Sequence, residues 1–332
     1  MSNLFTWITE KFRKNTIIPI FLIVFLVCSF FIDKFFSLGN FVNILGQNAE
    51  KGILAAGMTF VILNGYFDLS VGTLMGLTSC LTVGLTPVIG LIPSILLALC
   101  LGAAVGLING LLVTKLKINA FIVTLAGMTI FRGITYMYTQ QTVRGSSKAF
   151  YELSRGSFLG LPNPVWICLA FILLGQAVLY FTRHGRNTYA AGGNMSSAQN
   201  AGINVDRTVI LNFVICSFCA AVAGVMYASK FNSASPTLGW PDAHMLAIAA
   251  VVLGGTKLSG GYGNMFYTLG GLCTLGMINN AMNLLKLSSY YNTLVMGIIL
   301  IIVLYMDIVL REQSVPSKRA NIPGAPKKLQ KE

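Results

Sequence analysis

The sequence is poor in charge. Only 10% of its 332 residues are Asp, Glu, Lys or Arg, where a soluble domain carries about a quarter. Ten residues are acids and two are histidines, so titratable side chains are too sparse for most enzyme sites. No nucleophile stands with a base, and no acid, His and Cys group has metal-ligand spacing. The phosphate-cradling pattern G-x-x-x-x-G-K-[ST] is missing as well, which excludes ATP hydrolysis by this chain. The seven cysteines, Cys28, Cys80, Cys100, Cys168, Cys216, Cys219 and Cys273, all lie in apolar runs. Cys216 and Cys219 form a C-x-x-C with no histidine nearby, and they read as small packing residues.

What is present in quantity is apolar length: 55% hydrophobic residues and a mean hydropathy of +0.73. The expected fold class is all-α, a polytopic membrane helix bundle of about ten transmembrane helices with cytoplasmic N- and C-termini. The spans fall near 16–32, 50–66, 69–86, 92–114, 119–140, 164–182, 208–228, 243–256, 264–284 and 289–308. Residues 1–15 form a cytoplasmic tail, 16–310 the membrane domain and 311–332 a disordered basic cytoplasmic tail rich in Pro and Lys. The run Ile17 to Ile32 ends in Asp33-Lys34 without a small-residue cleavage pattern and reads as a retained anchor. Two spans are ill-defined. Residues 52–86 are broken by Asn64 to Asp68, as two crossings or as a re-entrant pair, and the span at 243–256 is short.

The net charge of +13 follows this topology. Of the 23 lysines and arginines, fifteen fall on the inner side, seven on the outer and Arg132 in between. That is the positive-inside bias of a membrane protein, with lipid and not nucleic acid as the implied partner. Small residues also recur at helical spacing. Gly102, Gly106 and Gly110 form one face, and Ser217, Ala220, Ala221, Gly224 and Ala228 another, as close helix packing in lipid requires.

Asp68, in NGYFDLSVG, is the only acid well inside an apolar stretch on this reading, and Arg132 the only comparable base. Such groups mark pathways or structural tethers. Asp68, Asn64, Tyr66, Asn109, Arg132, Tyr136, Asn279 and Asn283 are therefore the candidate pathway residues, with Asp68 and Arg132 a candidate pair. The competing reading is structural, with Asp68 capping the helix that starts at Leu69 and the amides tying helices together.

The island Ala191 to Arg207, AGGNMSSAQNAGINVDR, lies between two long apolar segments. Asn194 is placed to cap a short helix from Met195 to Ala201, and Gly202 to stop it. Met195 and Ala198 share a face, with Ser196, Gln199 and Asn200 pointing elsewhere. GMTFVILNGYFDLSVG, KINAFIVTLAGMTIFRG, HGRNTYAAGGN, AGINVDR, AAVVLGGTKLSGG and NNAMNLLKLSSYY together resemble, in order, the permeases of the ribose, arabinose and xylose importers of the ATP-binding-cassette type. The phrases FDLSV, KINA, GRN and NAMNLL look somewhat closer to the arabinose branch. The family commonly has glycine where Tyr66 stands, and often an acidic pair where His244, Met245 and Leu246 stand.

The resemblance implies a permease subunit that translocates a monosaccharide, a pentose such as L-arabinose or ribose, across the cytoplasmic (inner) membrane. It implies a second permease protomer, copy or paralogue, and an extracytoplasmic sugar-binding protein. It also implies an ATPase subunit with two nucleotide-binding domains, which holds ATP and Mg; no cofactor binds this chain. The coupling loop gripped by that ATPase falls on Gly192, Gly193, Asn194, Ala198, Gly202, Asn204, Asp206 and Arg207. Leu258-Ser259-Gly260-Gly261 imitates part of the ATPase signature but lies in a glycine-rich turn. An ion-coupled carrier, or a hexose or furanose substrate for the same machine, is the alternative.

Overall fold

The computed structural model describes residues 17–305 apart from 146, 289, 292, 300, 303 and 304. The two tails, at 1–15 and 311–332, lie outside the described residues. In chain order the helices are α1 (Ile17–Phe31), α2 (Leu38–Leu63), α3 (Val71–Ile89), α4 (Leu91–Thr114), α5 (Ala120–Tyr138) and α6 (Lys148–Arg155). They continue with α7 (Asn163–Phe181), α8 (Arg183–Gly193), α9 (Met195–Asn200), α10 (Val205–Phe231), α11 (Asp242–Leu253) and α12 (Met265–Leu284). The described positions from 290 to 305 are helical too. By length and composition, α3, α4, α5, α7 and α10 can each cross a membrane.

The all-α expectation needs one small amendment. Four two-residue strands, β1 (Val143–Arg144), β2 (Ser157–Phe158), β3 (Leu161–Pro162) and β4 (Ser233–Ala234), form two antiparallel pairs, β1 with β4 and β2 with β3. The first pair ties the loop after α5 to the end of α10.

Helices α2, α3 and α10 form the interior. Every residue of α2 from Gly52 to Leu63 is buried, whereas α1, α4 and α5 present rows of exposed Leu, Ile and Phe, as lipid-facing helices do. The glycine face of α4 meets α10 of the same chain. A Cβ on Gly102 would lie 2.5 Å from that of Ala221, one on Gly106 2.5 Å from the Phe213 carbonyl oxygen, and one on Gly110 2.8 Å from the Ile210 Cα. Gly224 of α10 packs instead against Met75 and Thr78 of α3.

The second span starts twelve residues earlier than the sequence suggests. Ser37 caps α2, which then runs unbroken through Asn40, Asn48, Glu50 and Lys51 to Leu63. Those polar letters dilute the apolar signal, yet Asn40, Asn48 and Glu50 have partners inside the bundle. Asn40 and Asn280 exchange amide hydrogen bonds of 2.9 and 2.8 Å, and Asn48 Nδ2 donates to the Ile44 carbonyl at 2.7 Å. Glu50, only 3% exposed, pairs with Lys230 at 3.0 Å. Asp68 is thus not the lone buried acid.

Two of the expected spans depart from a continuous helix. The link 64–70 leaves the end of α2 and climbs to the middle of α10, where Ser217 Oγ donates to Asp68 Oδ2 at 3.4 Å, so α2 and α3 are separate long helices and α3 begins inside the bundle. The short span at 243–256 is the second case. Helix α11 has only 12 residues, and the non-helical segment before it lies along α3 with Leu238 against Gly76 and Gly239 against Gly72. Uncovered backbone of this kind persists at membrane depth only when protein surrounds it.

Candidate functional site

The polar island folds as two short helices. Thr182 caps α8, its hydroxyl accepting from Gly185 N at 3.2 Å, and Asn194 caps α9, its Oδ1 accepting from Ser197 N at 2.9 Å and Ser196 Oγ at 2.8 Å. Gly202 takes φ +79° to stop α9, a left-handed conformation that a glycine adopts without strain. Asn204 then caps α10 through Arg207 N at 2.9 Å, and Asp206 pairs with Lys115 at 2.7 Å, tying the knob to the turn between α4 and α5. Ala198 is buried while Gly193, Asn194, Asn200 and Arg207 are exposed. Gln199 does not point away from Met195: both line one cleft, since residues four apart on a helix share a stripe as residues three apart do.

That cleft, of about 680 Å³, lies between the knob, the link 64–70 and the α4–α5 turn. Met195, Gln199, Tyr66, Lys117, Asn119 and Asp206 supply its polar and flexible lining.

The base of the knob is seated on the end of α2. Gly261 N donates to the Leu63 carbonyl at 2.8 Å, and Gly192 approaches the same oxygen so closely that a Cβ there would collide with it. Tyr189 Oη donates to the Gly263 carbonyl at 2.7 Å. The glycine-rich turn 254–263, with positive φ at Gly255, Gly260, Gly261 and Gly263, thus packs under α8 and beside α2.

A buried polar network joins the same elements and includes two residues the sequence reading left aside, His184 and Thr188. Asn212 Nδ2 of α10 donates to Asn64 Oδ1 at 2.5 Å, and Asn64 Nδ2 donates to the Thr188 carbonyl at 2.8 Å. His184 Nε2 lies 2.8 Å from Asn212 Oδ1 and Thr188 Oγ1 donates to the His184 carbonyl at 3.0 Å. Burial lowers the His184 pKa below its ordinary value, with the Asn212 contact opposing it, so the ring is neutral and donates through Nε2. Helix α8 is thus bonded to the α2–α3 junction twice, directly through the Thr188 carbonyl to Asn64 and indirectly from His184 by way of Asn212.

The pathway candidates fall into three groups. Asn64, Tyr66, Asp68 and Asn109 gather around the link 64–70. Asp68 is fully buried, accepting from Ser70 N at 3.0 Å and Ser70 Oγ at 2.5 Å, while Asn109 Nδ2 donates to Ser70 Oγ at 3.2 Å. Arg132 and Tyr136 lie on α5, with the Arg132 guanidinium 4.4 Å from the Trp240 ring centroid and 5.7 Å from that of Tyr136. Among the described residues no ion pair joins Arg132 to Asp68: the carboxylate is held by Ser70 and Ser217, and the guanidinium is stacked on rings. Asn279 and Asn283 bond to each other at 3.1 Å near the end of α12, away from both groups.

Several helices long and apolar enough to cross a membrane, with a polar knob seated on an interior helix, define a multi-pass helical membrane protein. The chain belongs to the family described as branched-chain amino acid transport system / permease component, which matches residues 40–304. It is 38% identical over 307 residues to a ribose import permease protein of Escherichia coli strain K12, covering 91% of this chain and 94% of that one. With a ribose import permease protein of Bacillus subtilis strain 168 it shares 44% identity over 274 residues (81% and 84%). With an L-arabinose transport system permease protein of E. coli K12 the figure is 36% over 305 residues (87% and 88%). Ribose and arabinose permeases thus both match over most of the chain, at similar identity. No solved structure matches.

Proposed function

We propose that this chain is the membrane-spanning subunit of an ATP-binding-cassette importer that carries a pentose, ribose or L-arabinose, across the inner membrane. On this reading it crosses about ten times with both termini cytosolic, and it pairs with a second permease protomer. A separate ATPase subunit holds ATP and Mg, and an extracytoplasmic binding protein delivers the sugar. The ATPase grips the surface of α9, with Asn194, Gly202, Asn204 and Arg207 shaping its approach. Gly192 and Gly193 carry the motion down to the Leu63 carbonyl and the Asn64–Asn212–His184 network. The α2–α3 junction then shifts, opening the bundle alternately to each side. Asn64, Tyr66, Asp68, Asn109, Arg132 and Tyr136 border the route. Asn279 and Asn283, bonded to each other, tie the end of α12 together.

The observation that carries this reading is the seating of Gly192 and Gly261 on the last carbonyl of α2, which joins an exposed docking helix to the link between α2 and α3. An ion-coupled carrier fits less well. Such a machine needs an acid free to take the ion, and here the buried carboxylates are engaged, Glu50 by Lys230 and Asp68 by Ser70 and Ser217. The deciding measurement is pentose uptake in cells whose proton gradient is collapsed while ATP is maintained. Uptake should continue; its loss would favour the ion-coupled carrier.

A further inference from the structure

The helix starts of this protein are of two kinds. Those of α2, α5, α6, α8, α9, α10 and α12 carry side-chain caps from Ser37, Asn119, Ser147, Thr182, Asn194, Asn204 and Asn264. The starts of α3, α4, α7 and α11 carry none; of these that of α3 is buried within the bundle, and that of α11 packs against it with Asp242 exposed and His244 buried. Ser217, which holds Asp68 just before α3, is the thirteenth residue of the 27-residue α10, about 20 Å from either helix end at 1.5 Å per residue. The start of α11 is beside it, because a Cβ on Gly72 would lie 2.6 Å from the Gly239 carbonyl oxygen and 3.2 Å from His244 Nδ1.

His244 is the independent sign of a ligand. It is 3% exposed, its Nδ1 has no hydrogen-bond partner among the described residues, and that nitrogen faces the first turn of α3. An unpaired buried ring nitrogen is unfavourable, and the amide groups at the buried start of α3, which has no side-chain cap, add to that cost.

We propose that the paired starts of α3 and α11, with His244 between them, form a mid-membrane recognition point for a hydroxyl-bearing, uncharged ligand, which on the reading above is the transported sugar. The chemistry selects that class. Helix N-termini repel cations, while the carboxylates of Asp68 and Asp242 disfavour anions. A sugar hydroxyl can both donate to Nδ1 and accept from a backbone amide. Gly72 and Gly239 meet backbone to backbone, so the two segments can part to admit a ligand without disentangling side chains. The stack of Arg132 on Trp240 adjoins this point and reports on it.

The test uses the complete transporter in membranes, comparing wild type with His244→Leu and His244→Asn, and two pentoses that differ at one hydroxyl. His244→Leu should lower uptake at least about tenfold, the scale of one lost hydrogen bond. It should also change the ratio between the two sugars, and His244→Asn, which keeps a polar atom near the Nδ1 position, should recover most of the rate. Uptake by His244→Leu at the wild-type rate and ratio overturns the proposal, as does His244→Asn failing as completely as His244→Leu at equal abundance.

If His244→Leu does not accumulate, Trp240 fluorescence decides. Trp7 and Trp166 are replaced by Phe, and each sugar is added to the purified transporter. A saturable change is expected, and a flat response overturns the proposal. A wild type that binds sugar by fluorescence but takes none up would sink the importer reading and leave this one standing.

Discussion

Asn212 holds three elements with one amide: its Nδ2 reaches Asn64, its Oδ1 receives His184, and Thr188 lies within 3.4 Å. Asn212→Ala leaves Asn64 and His184 short of partners in a buried site, and stability should fall by about 1–3 kcal/mol for each group left unpaired, read as a lower midpoint of thermal unfolding in detergent. His184 adds a pH dependence whose sign follows from its lowered pKa. As pH falls below about 6.5 the unfolded chain takes up the proton first. The stabilisation is therefore complete above that value and is lost as pH drops through the lower folded value. His184→Gln should flatten the unfolding profile between neutral and mildly acidic pH. Glu50 and Lys230 make a second buried unit. Breaking it by Lys230→Met should cost about 3–5 kcal/mol, while Glu50→Gln with Lys230→Met together should cost far less, as a double-mutant cycle on unfolding would show. Asn64 stood out in the sequence, but its pairing with Asn212 across 148 positions leaves no trace in any helical period. Glu50 was misplaced because the polar residues of α2 conceal where that helix begins.

At the scale of elements, glycine fixes where helices and turns meet. Gly192→Ala puts a methyl group into the Leu63 carbonyl, and the knob must lift from α2. We expect normal assembly with the ATPase but uptake per ATP hydrolysed reduced at least about tenfold, measured in proteoliposomes with the binding protein present. Uptake at the wild-type ratio would separate the knob from coupling. The spacing of Gly102, Gly106 and Gly110 announced a close contact, and its partner proved to be α10. The caps of α9 and its stop at Gly202 were equally legible, because capping chemistry is local in sequence. The seat of the knob was not, since it joins residues 63, 192 and 261, and neither was the non-helical stretch along α3, whose shelter comes from Gly72 and Gly76 across the bundle.

For the whole molecule, the knob, the α4–α5 turn and the glycine-rich turn share one end of the bundle, and the β1–β4 pair lies at the other. If the knob end carries the ATPase, a cysteine at Gln199, in a background whose seven cysteines are replaced, should cross-link to that subunit. One at Lys148 on α6 should not, and immunoblotting of the complex distinguishes the two. Among the described helices that run between both ends, the longest is α10. Helix α10, 27 residues and about 40 Å long, is anchored near its start by Asp206 to Lys115 and near its finish by Lys230 to Glu50. If the knob end receives a partner's stroke, as proposed, a rod pinned at each end passes that displacement on to the opposite rim of the bundle.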